Sequence, residues 1–158
     1  VSGGGSVVLA AESSVPGDIL YPIKVKVTEP ALDKIFVTAK ENARWQGEKT
    51  IRRLREAETL ALQGRLDEEK SKVIEEKIKE HGEEFHAVIN DLSTTTESEQ
   101  RERVEVEYES KVRAHSKILS KIRERYSEET KSTIEYVEKT LGKELQRNQE
   151  REEERGQP

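Results

Sequence analysis

The run Val104-Glu105-Val106-Glu107-Tyr108-Glu109-Ser110-Lys111-Val112-Arg113-Ala114-His115-Ser116-Lys117-Ile118-Leu119-Ser120-Lys121-Ile122-Arg123-Glu124-Arg125-Tyr126 decides the fold class. Val104, Tyr108, Val112, His115, Leu119, Ile122 and Tyr126 recur at steps of four and three, the spacing of a helical heptad seam. Thr96-Glu97-Ser98-Glu99 is a capping box that opens this helix, and Ser93-Thr94-Thr95-Thr96 breaks it from the one before. That earlier helix starts at Asp67, ahead of Glu68 and Glu69. Its apolar stripe is Ile74, Ile78, His81, Phe85, Val88, Ile89 and Leu92. Downstream, Ser127 before Glu128 and Glu129 is an N-cap for a last, shorter helix carrying Ile134, Val137, Leu141 and Leu145. No apolar residue follows Gln146, so residues 147–158 are expected to be a charged, fraying tail.

Upstream of Asp67, Gly64 is placed to end a long helix as its C-cap glycine. The apolar positions of that helix are Leu32, Ile35, Phe36, Ala39, Ala43, Ile51, Leu54, Ala57 and Ala61. Thr28 is its expected N-cap, with Pro30 tolerated only near a start. A second capping box, Thr38-Ala39-Lys40-Glu41, divides it near Val37. Ile23, Val25 and Val27 fit either an extended piece or a turn or two of helix after Pro22. Short connections at Gly64 and Ser93–Thr96 set neighbouring helices antiparallel. The expected fold is therefore all-α: an elongated antiparallel bundle of three long arms plus a shorter C-terminal helix, with an N-terminal clasp. Residues 16–146 form its single domain.

Composition agrees with a bundle that has a thin core. Of 158 residues 39% are charged and 32% hydrophobic, with net charge −5, so no basic face dominates and a nucleic-acid partner is not expected. Cys and Met are absent, which excludes thiolate sites and disulfides. The pairs Glu68–Lys72, Glu75–Lys79, Glu107–Lys111 and Glu135–Lys139 stand at i,i+4 in the favourable order, and charged residues are read as solvated faces. No Gly-rich elbow, phosphate loop or paired-carboxylate dyad marks an enzyme, so neither a catalytic residue nor a cofactor is expected.

The histidines are tested as metal ligands and rejected. His81 and His86 stand about 140° apart around a helix, and folding back about Ser93–Thr96 sets His81 and His115 about 10 Å apart along the axis. That register places His81 beside Tyr108 and His115 beside Ile74, with each histidine bonded to a tyrosine or carboxylate neighbour. The alternative is a periplasmic metal- or small-ligand-responsive binding domain using His81, His86 or His115. Trp45, level with His86 in the fold-back about Gly64, is expected to pack on that imidazole, or else to join Tyr108 and His115 as an interaction surface. The heptad seam also offers a route to a homodimer.

The most specific run is Pro16-Gly17-Asp18-Ile19-Leu20-Tyr21-Pro22-Ile23-Lys24. Pro16-Gly17 suits the centre of a type II turn, and Asp18 accepts from nearby backbone donors. Tyr21 brings a large ring with a polar tip, and Pro22 suits a first helical turn. Pro16, Gly17, Asp18, Tyr21, Pro22 and Lys24 together are read as a structural clasp, with Tyr21 buried on the bundle and Asp18 bonded at the following helix start. This nonet, with Glu29 after it, Arg52-Arg53-Leu54-Arg55-Glu56-Ala57 and, more loosely, Val112-Arg113-Ala114-His115-Ser116-Lys117-Ile118-Leu119, resembles a family of exported or membrane-anchored bacterial domains of unknown function. The resemblance implies a helical extracytoplasmic part with no catalytic residues, sometimes linked to envelope signalling, and a protein partner it does not specify. Residues 1–15 fit that address. Gly3-Gly4-Gly5-Ser6-Val7-Val8-Leu9-Ala10-Ala11 is too short to span a bilayer and reads as a flexible remnant of a signal peptide or of a membrane tether upstream.

Overall fold

The computed structural model describes residues 9–92, 98–125 and 128–156. It is an all-α bundle. The long helices are α3 (Ala39–Leu62), α4 (Glu68–Leu92), α5 (Ser98–Arg123) and α6 (Glu128–Gly156). Ahead of them runs a winding segment: α1 (Tyr21–Ile23), a π-helical stretch (Lys24–Thr28) and α2 (Glu29–Asp33).

The sequence signals for α3 and α4 are met in detail. The Thr38 hydroxyl accepts from Glu41 N–H at 3.2 Å and donates to the Glu41 carboxylate at 2.8 Å, so the chain breaks just after Val37. At the other end Gly64 takes φ +64°, Gly64 N–H donates to Ala61 O at 3.0 Å, and Arg65 N–H to Leu60 O at 2.8 Å. This is a Schellman closure. Asp67 then caps α4 by accepting from Lys70 N–H at 2.9 Å. The capping residues Thr96, Glu97 and Ser127, and the seam residue Tyr126, lie outside the described residues.

Three expectations are corrected. Helical backbone is present at residues 9–12 and again from Tyr21, with Pro22 in the first turn there, and Thr28 has helical backbone and no capping bond. Pro30 is accommodated because the widened π turn ends just before it, whereas a regular α-turn would drive the ring into the carbonyl four residues back. The last helix is the longest of the four at 29 residues, not the shortest, and it runs to Gly156. Its polar end reaches α4 through Arg151, which donates to His86 O at 3.4 Å, while Arg147 pairs with Glu144 within the same helix at 3.1 Å. Finally, Ile35 and Ala39 are exposed, so the apolar stripe of α3 starts at Ala43.

Short connections do not make every neighbour antiparallel. Arg44 with Glu107 (3.4 Å), Glu48 with Lys111 (3.8 Å) and Glu58 with His115 (2.7 Å) step forward together, so α3 and α5 lie side by side and parallel. Ser71 with Thr133 and His86 with Glu144 do the same for α4 and α6. Helices α4 and α5 are consecutive but stand diagonally across the bundle. One apolar core runs through it, from Val15 through Leu54, Ile78, Phe85, Val112 and Leu119 to Leu141. The winding segment covers the side of α3 that no long helix covers, so α3 is buried nearly all round, charged positions included.

Candidate functional site

The charged residues that matter most are inside. Lys24, Glu29, Arg53 and Glu56 are all buried, and the Arg53 side chain is completely so. They meet where the winding segment lies on α3. Arg53 pairs with Glu29 through a short contact and with Glu56 at 3.2 Å; Lys24 pairs with Glu56 at 2.7 Å. The Tyr21 hydroxyl accepts from Arg53 Nη1 at 2.8 Å and donates to Glu56 Oε2 at 3.1 Å, while the guanidinium sits 5.7 Å from the Tyr21 ring centroid. Lys24 also donates to Ser14 O at 3.1 Å. Arg52 closes the rim, 2.7 Å from Glu12 and 3.8 Å from Glu29.

Two cations and two carboxylates face one another at the centre, so each buried group has a partner of opposite charge. Burial raises the Glu29 carboxyl above the usual range, opposed by Arg53 and reinforced by the Glu56 charge. Burial likewise raises the Tyr21 phenol, and Glu56 adds to it, so Tyr21 keeps its proton and serves as donor.

The nonet builds the outer half of the clasp. Gly17 takes φ +94° and Asp18 N–H donates to Val15 O at 3.0 Å, a type II turn. Asp18 bonds back to Val15 N–H at 3.0 Å, not forward to a helix start, and pairs with Arg65 at 2.7 Å. That Arg65 bond, more than the backbone one, holds its carboxyl below the usual range. The turn is thereby fastened to the α3–α4 connection, and Tyr21 is buried as expected.

Trp45 is buried but faces the other way from its expected partner. Its indole donates to Asp33 at 2.7 Å, its ring lies 5.4 Å from Phe36, and Arg52 stands 4.8 Å over it. The axial level was nearly right and the face was wrong. Gly47, two residues and about 200° further around the helix, is the position that meets Phe85 and Tyr108. Tyr108 is buried, stacked on Phe85 at 4.0 Å, and His115 is bonded to Glu58 at 2.7 Å, so Trp45, Tyr108 and His115 present no common outer surface. The described seam residues pack against the chain's own helices.

Each histidine has its own carboxylate: His81 Nδ1 lies 3.2 Å from Glu84, His86 Nε2 3.4 Å from Glu144, and His115 Nδ1 2.7 Å from Glu58. Their partners lie on α4, α6 and α3, so the three do not converge. The sequence reading did not group Glu80, His81 and Glu84, whose ligand atoms lie within 4.8 Å of one another. The Lys49 ammonium already holds Glu84 Oε2 at 3.1 Å, which opposes a dication there. Burial, with the Lys49 and Arg53 charges, pushes the His81 imidazole down to about 3.

Reading every Asp and Glu as surface missed Glu29, Glu56 and Glu144. Glu56 stands two residues and about 200° around the helix from Leu54, turned away from the apolar stripe, so helical periodicity carried no signal for its burial. A cleft of about 460 Å³ beside the clasp is lined by Glu12, Lys24, Arg52, Arg55 and Glu56 among others. Its cations are already paired, Arg55 with Glu48 at 2.9 Å, so it offers no free charge for chemistry. Comparison with protein-family models, curated proteins and solved structures finds no match to this chain.

Proposed function

We propose that the protein is a non-enzymatic helical interaction or sensory module of a bacterial envelope protein, placed on the outer side of the membrane. The observation that carries this reading is the clasp. The stretch that joins the bundle to whatever precedes it is pinned to α3 by Tyr21, Lys24 and Glu29 through buried ion pairs. A segment held that way moves with α3 as one body, which is what transmission between an upstream segment and a bundle requires. The extracytoplasmic placement rests on the nonet's resemblance and on the small apolar run before it. Fusion of the chain, with its native upstream sequence, to alkaline phosphatase tests the placement. Phosphatase activity is expected; an inactive fusion whose fluorescent-protein counterpart glows in the cytoplasm would contradict it.

A second reading, a metal-responsive domain, is favoured by the Glu80, His81 and Glu84 cluster, the one such group among the described residues. Calorimetry with zinc, nickel and copper separates the two. Stoichiometric binding at micromolar affinity, abolished by His81→Ala, would replace the first reading with the second.

A further inference from the structure

The winding segment reverses the usual polarity of a surface helix. Its inner side carries the buried ions Lys24 and Glu29, and outside it Val27 is 60% exposed and Ile35, in the turn that follows Asp33, is 64% exposed. Val27, Ala31 and Ile35 follow at four-residue steps, with Pro30 and Lys34 beside them, so they share one outward stripe. Lys26 and Lys34 are exposed on it, and Lys40 is half-buried in the first turn of α3.

None of these three lysines pairs with a carboxylate among the described residues. The acids of the same stretch are engaged elsewhere: Glu29 with Arg53, Asp33 with Trp45 and Lys49, and Glu41 with Thr38. A chain of net charge −5 thus shows one face that is apolar and locally cationic. The face has no aromatic anchor among the described residues, because Phe36 turns inward to Trp45. Protein hot spots favour Trp, Tyr and Arg seated in pockets, whereas aliphatic side chains flanked by lysine suit a helix lying at a lipid headgroup boundary.

We propose that this face docks on an anionic lipid surface. Val27 and Ile35 enter the headgroup boundary while Lys26 and Lys34 pair with lipid phosphates. The proposal does not depend on the sensory reading, since it concerns a different face from the clasp. Each lysine near such a surface is worth about a fivefold change in partition, so Lys26 and Lys34 together give about a 25-fold preference for anionic over neutral lipid.

Co-sedimentation of the full chain with vesicles of phosphatidylcholine, with and without about a quarter phosphatidylglycerol, tests it. Binding is expected only to the anionic vesicles, and it should weaken about tenfold or more between low and high salt. Lys26→Glu with Lys34→Glu should lower it more than tenfold, and Val27→Asp with Ile35→Asp should abolish it, with melting temperatures unchanged because all four side chains are exposed. No binding at millimolar anionic lipid overturns the proposal, as does binding that both double variants retain. A concentration-dependent dimer that Val27→Asp disperses, without vesicle binding, would assign the face to a second copy instead.

Discussion

Arg53 Nη1 donates to the Tyr21 hydroxyl at 2.8 Å, and that hydroxyl donates onward to Glu56 Oε2 at 3.1 Å. The phenol oxygen therefore joins a completely buried guanidinium on α3 to a carboxylate one turn further along it. Tyr21→Phe keeps the ring and removes this link, leaving a buried donor and a buried acceptor short of a partner. Chemical denaturation should report a loss of about 1–3 kcal/mol. Tyr21→Ala should lose about 3–5 kcal/mol by adding a cavity, and equal losses for the two variants would mean that the hydroxyl carries no weight.

Removing Arg53 alone takes the nearest cation from buried Glu29 and leaves it Arg52 at 3.8 Å, while Glu56 keeps Lys24 at 2.7 Å. Arg53→Met should cost about 3–5 kcal/mol, the penalty of an uncompensated buried charge. Adding Glu29→Gln to Arg53→Met should recover part of it. A double variant that loses the sum of the two single effects would show that the pair is not coupled.

Glu29 and His81 respond to pH in opposite senses. The raised folded-state pKa of Glu29 means its contribution is fully present below the ordinary glutamate value of 4.5 and is lost as pH rises through the raised value. Melting temperatures of wild type and Glu29→Gln, taken from acid to neutral pH, should show wild type losing ground as pH rises; a growing wild-type advantage would contradict this. His81 has a depressed folded-state pKa, so its contribution is present above 6.5 and is lost as pH falls toward about 3. His81→Leu should flatten that acid limb, by up to about 1.4 kcal/mol per pH unit.

The two glycines at positive φ differ in what surrounds them. At Gly64 a Cβ meets open space, so Gly64→Ala should cost only the left-handed backbone term, about 1–2 kcal/mol. At Gly17 a Cβ would also come 2.9 Å from the Lys70 side chain, at a wider φ of +94°. Gly17→Ala should be the more damaging in a thermal melt, and the reverse order would show that the clasp turn is not under conformational constraint.

Local signals in this chain were legible because they act within a few residues. The Thr38 box, the Gly64 closure and the Asp67 cap each need only neighbouring backbone, and each forms. The heptad seam likewise names the buried side of α5, with Val104, Tyr108, Val112 and Leu119 all inside. What failed was whatever depends on a neighbour distant in sequence. Nothing near Ser93–Thr96 says that α5 will stand diagonally from α4 and beside α3, and nothing near Trp45 says that the chain at Asp33 and Phe36 will supply its partners. The clasp lay between these cases. Tyr21 was identifiable, but its partners Arg53 and Glu56 looked like ordinary surface charge because a buried ion shows itself only when its counter-ion is in place.

The central claim is that buried ions make the winding segment part of the bundle. Hydrogen exchange on the full chain measures this directly, by comparing amides of residues 21–33 with those of α3 in wild type and Arg53→Met. In wild type the two stretches should exchange with matching protection, because they open as one unit. In Arg53→Met the protection of residues 21–33 should fall while α3 to α6 keep most of theirs. Fast exchange of residues 21–33 in the wild-type protein, unchanged by Arg53→Met, would contradict the clasp and the transmission role built on it.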